Sequence, residues 1–105
     1  MGLKRSAARE LARTVTFVTF APVMTVDETV SRPWASVTFT GERHRLTLTL
    51  TGPEAEATAD SFLKGLGERE FPMRGHILID IACVGDERRE GNVRLTLEAL
   101  TVEED

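Results

Sequence analysis

Four side chains in this sequence could hold a metal ion or act as a nucleophile or base: His44, His76, Asp80 and Cys83. No two of them have a local ligand spacing such as Cys-x-x-Cys or His-x-x-x-His. In a strand, Asp80 and Cys83 would also point to opposite faces of the sheet. We therefore expect neither a metal centre nor a catalytic group, and the sequence implies no cofactor.

Two of these side chains lie within an apolar segment, HILIDIACV, from His76 to Val84. Cys83 alternates with isoleucines, and a free cysteine in such a position is commonly a small buried hydrophobe. Asp80 needs a partner or water in these surroundings. The favoured interpretation is an open sheet face with Arg94 or a threonine opposite the carboxylate. The alternative is a polar anchor inside a pocket or an interface.

The clearest structural pattern runs from His44 to Leu66 and predicts a strand followed by a helix. Between His44 and Leu50 the side chains alternate, which predicts a strand with His44 and three leucines on its buried face. Gly52 and Pro53 end the strand, and proline suits the first turn of a helix. The helix that follows has one apolar stripe. The stripe consists of Ala55, Ala59, Phe62, Leu63 and Leu66.

Four further strands are predicted from β-branched and aromatic content. They are Thr14–Phe20, Trp34–Thr40, His76–Val84 and Val93–Val102. Val23–Arg32 is polar enough to be a connecting segment, although Met24, Val26 and Val30 alternate and could give a short extension. Gly41-Glu42 is a turn signal and predicts one hairpin, and the charged segment Gly85–Asn92 predicts the loop of another. His76–Val84 is apolar on both sides, which favours a position inside the sheet.

The predicted core combines the helical stripe with alternate residues of the strands. The strand residues of this core are Val37, Phe39, Leu46, Leu48, Leu50, Ile77, Ile79, Ile81, Val93, Leu95 and Leu97. Hairpin links favour antiparallel pairing, and one long helix covers one face of a sheet. We therefore predict an α+β, two-layer sandwich with a mainly antiparallel five-stranded sheet. The element order is β-β-β-α-β-β, with the long helix packed on one face and a short N-terminal helix as an optional addition. A half-barrel or a β-sandwich with one helix is the alternative.

Length and charge place further limits on the chain. Its 105 residues suit one α+β domain over residues 14–102, after a basic segment 1–13 that is a short helix or disordered, and before an acidic tail 103–105. The net charge of −4 argues against bulk affinity for nucleic acid or an anionic membrane. No apolar run approaches the ~20 residues of a membrane-spanning helix. The single cysteine fits a reducing, cytoplasmic location.

Apolar side chains left over from the predicted core suggest an interaction surface. They fall on the outer sheet face or at its ends, and contiguous apolar surface on a small domain usually marks a partner. The candidate interface residues are Trp34, Leu78, Val84, Leu100 and Val102. We therefore expect a small soluble protein-interaction or regulatory module, with a non-catalytic role favoured over an enzymatic one. Its partner would be another protein or a second copy of the chain.

Two alternatives involve a ligand. A small-molecule-binding protein or minor enzyme would place a pocket near His76 and Asp80. A weak RNA binder would use a basic patch, whose residues are Arg32, Arg43, His44 and Arg45. The predicted order of a basic helix, three strands and a helix is similar in outline to a double-stranded-RNA-binding domain. The second helix, however, begins Pro53-Glu54-Ala55-Glu56, acidic where such domains are lysine-rich, so a nucleic-acid partner is the least favoured.

Overall fold

The computed structural model describes residues 6–19, of which 17–19 by their backbone alone, and residues 24–104. Within these ranges the chain forms two helices and four strands. Their order is α1 (Ala7–Thr19), β1 (Met24–Ala35), β2 (Thr40–Thr51), α2 (Ala55–Lys64), β3 (His76–Arg89) and β4 (Asn92–Glu103). The first five residues of the basic segment and Asp105 of the acidic tail lie outside the described residues.

The four strands form one antiparallel sheet in the order β1-β2-β4-β3. The central strands are β2 and β4, and the edge strands are β1 and β3. Both helices pack on one face, with α1 against β1 and β2, and α2 against β2 and β4. The predicted α+β class is confirmed. The prediction of five strands is wrong, because the described residues form four.

The first predicted strand is helical instead. Thr14–Thr19 continues α1, and Phe20 lies outside the described residues. Ala7, Leu11 and Val15 are buried at the spacing of helical turns, so the apolar stripe of the N-terminal helix extends into the β-branched segment. Packing of this stripe on the sheet overrides the local preference of threonine and valine for strands.

The first hairpin is shifted relative to the prediction. The polar segment that had suggested a connection forms most of β1, and the turn occupies residues 36–39, so Gly41 lies inside β2. The Ser36 N–H donates to the Phe39 carbonyl at 2.8 Å, and the Phe39 N–H donates to Ser36 Oγ at 3.1 Å. Val37 and Phe39, predicted in the core, are therefore exposed, at 103% and 56%.

Strand β3 lies at an edge, so its predicted interior position is wrong. Two β-bulges place one extra residue each, Ile79 and Val84, in β3 opposite β4. Each extra residue reverses which face the following side chains point to. Ile77 and Ile79 are therefore exposed, and only Ile81 of the three predicted core isoleucines is buried. The strand also continues through the predicted charged loop to Arg89, and the turn is Glu90-Gly91, with Gly91 at φ 70°.

One hydrophobic core fills the space between the helices and the face that we call the inner face. Its most deeply buried large side chains are Leu11, Val15, Leu46, Leu48, Leu50, Phe62, Val93, Leu95 and Leu97. Residues that alternate with these on β2 and β4 point to the opposite, outer face. Neither helix of the described chain covers that outer face.

Polar contacts attach each helix to the sheet layer. Glu10 of α1 is fully buried, and its Oε1 accepts the Arg74 N–H at 2.9 Å and an Arg13 N–H at 3.2 Å. On the other side, Arg88 of β3 donates to Asp86 at 3.0 Å and lies 2.8 Å from Asp60 of α2. Hydrogen bonds to these two carboxylates raise the pKa of the Arg88 guanidinium above its ordinary value.

Candidate interaction surface

The outer face is arranged in rows of residues that lie side by side across the strands in the order β1, β2, β4, β3. Row one is Trp34, Gly41, Val102 and Ile77. Row two is Arg32, Arg43, Leu100 and Asp80. Row three is Val30, Arg45, Glu98 and Ala82. Row four is Glu28, Thr47, Thr96 and Gly85.

Three of the five candidate interface residues lie on this face, namely Trp34, Leu100 and Val102. Val84 is the second bulge of β3 and is 52% exposed. Leu78 was predicted on the outer face but lies on the inner one. It pairs with Thr101 directly before the first bulge and packs against the core. Val102 is already buried within the chain, at 6% exposure.

Row one is held by a close approach of β2 to β4. The Trp34 indole N–H crosses Gly41 and donates to the Thr101 carbonyl at 3.3 Å. A Cβ on Gly41 would lie 1.9 Å from the Thr101 carbonyl oxygen and 2.9 Å from the indole nitrogen. Only glycine fits here, because the backbone of β4 occupies the space of a side chain.

Rows two to four line a shallow basin of about 860 Å³. Its apolar residues are Val30, Ala82, Ala99 and Leu100, and Val30 is 45% exposed. Its charged residues are Glu28, Arg32, Arg43, Arg45, Asp80 and Glu98. The basin is therefore mixed in character, with its three arginines on β1 and β2 and two of its three carboxylates on β3 and β4.

The charges of the basin are unevenly satisfied. Arg45 pairs with Glu98 across β2 and β4, with the two side-chain atoms 2.7 Å apart. Arg32 and Arg43 face each other directly in the register, and like charges in that position destabilise a sheet. Within residues 6–19 and 24–104, four charged side chains of the basin make no ion pair or hydrogen bond, namely Glu28, Arg32, Arg43 and Asp80. Two arginines and two carboxylates are thus available to an incoming group.

The basic patch is only partly assembled. Arg32, Arg43 and Arg45 gather on the outer face, whereas His44 points into the inner layer and is 3% exposed. Glu98 neutralises Arg45, and Asp80 and Glu28 share the basin. The helices are also separated by two strands, where the outline of a double-stranded-RNA-binding domain has three.

The two residues of the predicted pocket are on opposite faces. His76 is 8% exposed and belongs to the inner layer at the start of β3, whereas Asp80 is exposed in the outer basin. The bulge at Ile79, between these two residues in β3, turns their side chains to opposite faces of the sheet. The basin of the outer face includes Asp80 but not His76.

The structure instead places His44 in a buried network that the sequence does not reveal. His44 Nδ1 lies 2.7 Å from Ser31 Oγ, and Nε2 lies 2.9 Å from Thr101 Oγ1. The Thr101 hydroxyl donates to the Glu42 carbonyl at 3.5 Å, so we assign Nε2–H as the donor to Thr101 and Nδ1 as the acceptor from Ser31. The network depends on the pairing of β1, β2 and β4, which residue spacing cannot give.

A hydroxyl donating to a neutral imidazole is half of a nucleophile and base arrangement. Here, however, Thr101 occupies the position in which a carboxylate would stabilise the imidazolium. Burial lowers the pKa of His44 below its ordinary value, and the nearby His76 charge adds to this while Glu42 opposes it. The site therefore disfavours the charged form that a general base must adopt, and the network acts as a structural link between three strands.

The two edge strands carry all of the irregularities in the sheet register. Asp27 is the extra residue of β1, and its carboxylate accepts hydrogen bonds from Thr25 at 2.9 Å and from Thr49. Ile79 and Val84 are the extra residues of β3, while β2 and β4 are regular. Bulges interrupt the row of backbone groups that another strand would need, so both edges are poor templates for strand addition.

Comparisons with protein-family models, curated proteins and solved structures give no match for this chain. Within the described ranges, no three side chains of the His, Cys, Asp or Glu types come together as ligands for a metal ion. The helices of the described part of the chain are too short or too polar to cross a membrane.

Proposed function

We propose that this chain is a non-catalytic protein-interaction module whose binding surface is the outer face of the sheet. The observation that carries the proposal is the one-sided packing of the molecule. Both helices lie against the inner face, and the opposite face presents Leu100 and Val30 among charged side chains, several of which lack partners within the described residues. An apolar centre among charged residues is typical of a surface that binds another protein.

The chemistry of the basin supports binding in preference to catalysis. The charged side chains of the basin are arginines and carboxylates. His44 also borders the basin, but both of its ring nitrogens are held in the inner layer by Ser31 and Thr101, and Cys83 packs against the core. Arg32 and Arg43 can each donate several hydrogen bonds to an acidic group. Leu100 between Arg43 and Asp80 gives an apolar contact at the centre of row two.

The two edge strands favour a partner that packs on the outer face over one that adds a strand to the sheet. Because β1 and β3 are bulged, a partner that added a strand would meet an interrupted row of hydrogen-bonding groups. A partner that packs on the outer face needs no such row. It would cover the apolar and charged side chains together.

Small-molecule binding is the second candidate function, because a basin of about 860 Å³ lies within the size range of ligand sites. This candidate keeps Asp80 of the predicted pocket and leaves out His76, which faces the other layer. A thermal-shift screen that found a ligand for the wild type but not for Asp80→Asn would favour it. RNA remains the third candidate, with Arg32 and Arg43 as its contacts and a steep loss of binding with added salt as its signature.

The experiment that tests the proposal is cross-linking in the native host followed by affinity purification at moderate salt. The wild type is compared with Leu100→Arg on the outer face and with Glu68→Arg, an exposed control on the helical layer. We expect one protein, a copy of the chain included, to be retained by the wild type and the control and lost from Leu100→Arg. Equal recovery with all three proteins, or recovery with none, would exclude the outer face as a protein-binding surface.

A folding control keeps this result interpretable. Leu100 is half-buried, so its replacement by arginine must leave the far-ultraviolet circular dichroism and the unfolding midpoint near those of the wild type. Ala82→Arg provides a second outer-face variant at an exposed position in row three. Both variants should lose the same protein.

A further inference from the structure

We infer that the partner of the outer face is a second copy of this chain, packed face to face about a two-fold axis that runs parallel to the strands between β2 and β4. This inference rests on the proposed function and identifies its partner. It is carried by the distribution of charge across the rows. The basic residues of rows two and three are on β1 and β2, and the acidic ones are on β3 and β4.

A two-fold axis in this position exchanges the two halves of every row. The residue on β1 of one copy then faces the residue on β3 of its mate, and the residue on β2 faces the one on β4. In row two, Arg32 faces Asp80 of the mate, and Arg43 faces Leu100. The interface is isologous, so each such contact occurs twice.

The neighbouring rows are complementary under the same operation. In row one, Trp34 faces Ile77, which is 46% exposed in the single chain. In row three, Val30 faces Ala82, and Arg45 faces Glu98. Apolar residues therefore meet apolar residues in rows one and three, and basic residues meet acidic ones in rows two and three.

The other two-fold axis in the plane of the sheet gives a worse match. An axis across the strands through row three would place Arg45 against its own copy and Glu98 against its own copy. It would also leave Trp34 and Ile77 opposite polar residues at the far end of the face. Like charges placed opposite each other oppose association, so the axis along the strands is selected.

Association would offset the repulsion between two neighbouring arginines of this face. Arg32 and Arg43 repel each other within one sheet, and Asp80 of a second copy supplies the carboxylate that the described part of the chain does not bring to them. Aligned sheets pack with strands about 30° apart, which is compatible with this axis. The basins leave room for the long arginine side chains between the two sheets.

The face is large enough for a weak, specific dimer. With strands about 4.8 Å apart and successive rows about 7 Å apart, it presents roughly 500 Å² of flat area per copy. Two such faces reach the total of about 1,000 Å² that specific interfaces need.

Charge reversal tests the pairing directly, with sedimentation velocity of the full chain over a range of concentrations. Arg32→Asp alone and Asp80→Arg alone each place like charges together twice, and each should weaken dimerisation by at least about tenfold. An equimolar mixture of the two variants should form a heterodimer with near wild-type affinity, because each of the two contacts then joins one carboxylate to one guanidinium. Arg9→Asp and Glu68→Arg, exposed on the helical layer, are the matched controls and should dimerise like the wild type.

Three outcomes would overturn the inference: a wild type that stays monomeric up to about 1 mM, single variants that dimerise normally, or a mixture that does not recover. A monomeric wild type that still captures a different protein through Leu100 would refute the second copy and leave the proposed function standing. A monomeric wild type without any Leu100-dependent capture would refute both.

Discussion

The two faces of the sheet are made from the same strands and differ in how their positions are constrained. On the inner face of β4, Val93, Leu95 and Leu97 are fully buried beneath the helices. On the outer face of the same strand, Glu98 is exposed and Leu100 is half-buried. Packing against the helices constrains which side chains the inner face can carry. Few contacts within the described chain constrain those of the outer face. A face that folding does not constrain is free to carry binding.

The largest effect should come from matched truncations on one strand. Leu97→Ala on the inner face removes a fully buried side chain and should lower the free energy of unfolding by about 2–5 kcal/mol. Leu100→Ala on the outer face should cost about 1 kcal/mol or less. Urea denaturation measures both. Equal losses would mean that the outer face is packed as firmly as the core and would end the contrast.

Row one is the exception on the outer face, because Gly41 is a fixed packing position. Gly41→Ala should lower the free energy of unfolding by about 1–3 kcal/mol, since its Cβ meets the Thr101 carbonyl and the Trp34 indole. Gly67→Ala, with no atom near its added Cβ, should change it by about 0.5 kcal/mol or less. Thermal unfolding compares the two. A tolerated Gly41→Ala would contradict the close approach of β2 and β4.

The inner layer should also be sensitive to acid through His44. Burial lowers the pKa of His44 in the folded chain below the ordinary histidine value of 6.5. Below that pH the unfolded chain therefore binds more protons than the folded chain does. Neutral His44 makes its full contribution to the free energy of unfolding above about pH 6.5. As the pH drops from there through the pKa of the folded chain, that free energy falls by up to about 1.4 kcal/mol per pH unit.

Urea denaturation at pH 7.5 and pH 5.5 measures this loss. His44→Gln should reduce the difference in unfolding free energy between the two pH values, although it lowers stability at both. His76→Gln controls for the neighbouring histidine and should leave most of the difference in place. A wild-type difference that survives in His44→Gln would assign the acid sensitivity to another group.

The smallest effect should come from the exposed bulge of β3. Ile79→Thr alters a side chain that is 55% exposed, and the free energy of unfolding should change by about 0.5 kcal/mol or less. Ile81→Thr, two residues further on and 8% exposed, should cost about 1–3 kcal/mol because it buries a hydroxyl in the core. Chemical denaturation of the pair checks the register. If Ile79→Thr were the more damaging change, the bulge would be misplaced.

The regular alternation of β2 and the apolar stripe of α2 were predicted correctly, since both are local patterns with a strong period. Leu46, Leu48 and Leu50 are fully buried, as are Ala55 and Ala59. The core face of β4 was also predicted correctly, from Val93 to Leu97. In each case one face of the element meets the core and the other does not, so the spacing of apolar residues predicts which side chains are buried.

The errors fall where a local signal had two interpretations. Thr14–Thr19 is β-branched yet continues a helix, and Val37 and Phe39 alternate like core residues yet form a turn. The candidate surface was partly predictable, because Trp34 and Leu100 were left over from a simple alternation. Leu78 was misplaced by a bulge that leaves no mark in the sequence.

The α+β class, the central strand and helix, and the lack of local metal-ligand spacing can be read from the residues alone. These follow from composition and from periods of two and 3.6 residues. Folding was needed to establish which strands lie at the edges, where the bulges fall, and that Arg32, Arg43 and Asp80 share one row. Those features depend on pairing between segments far apart in the chain, and a shift of one residue in that pairing reverses every side chain after it.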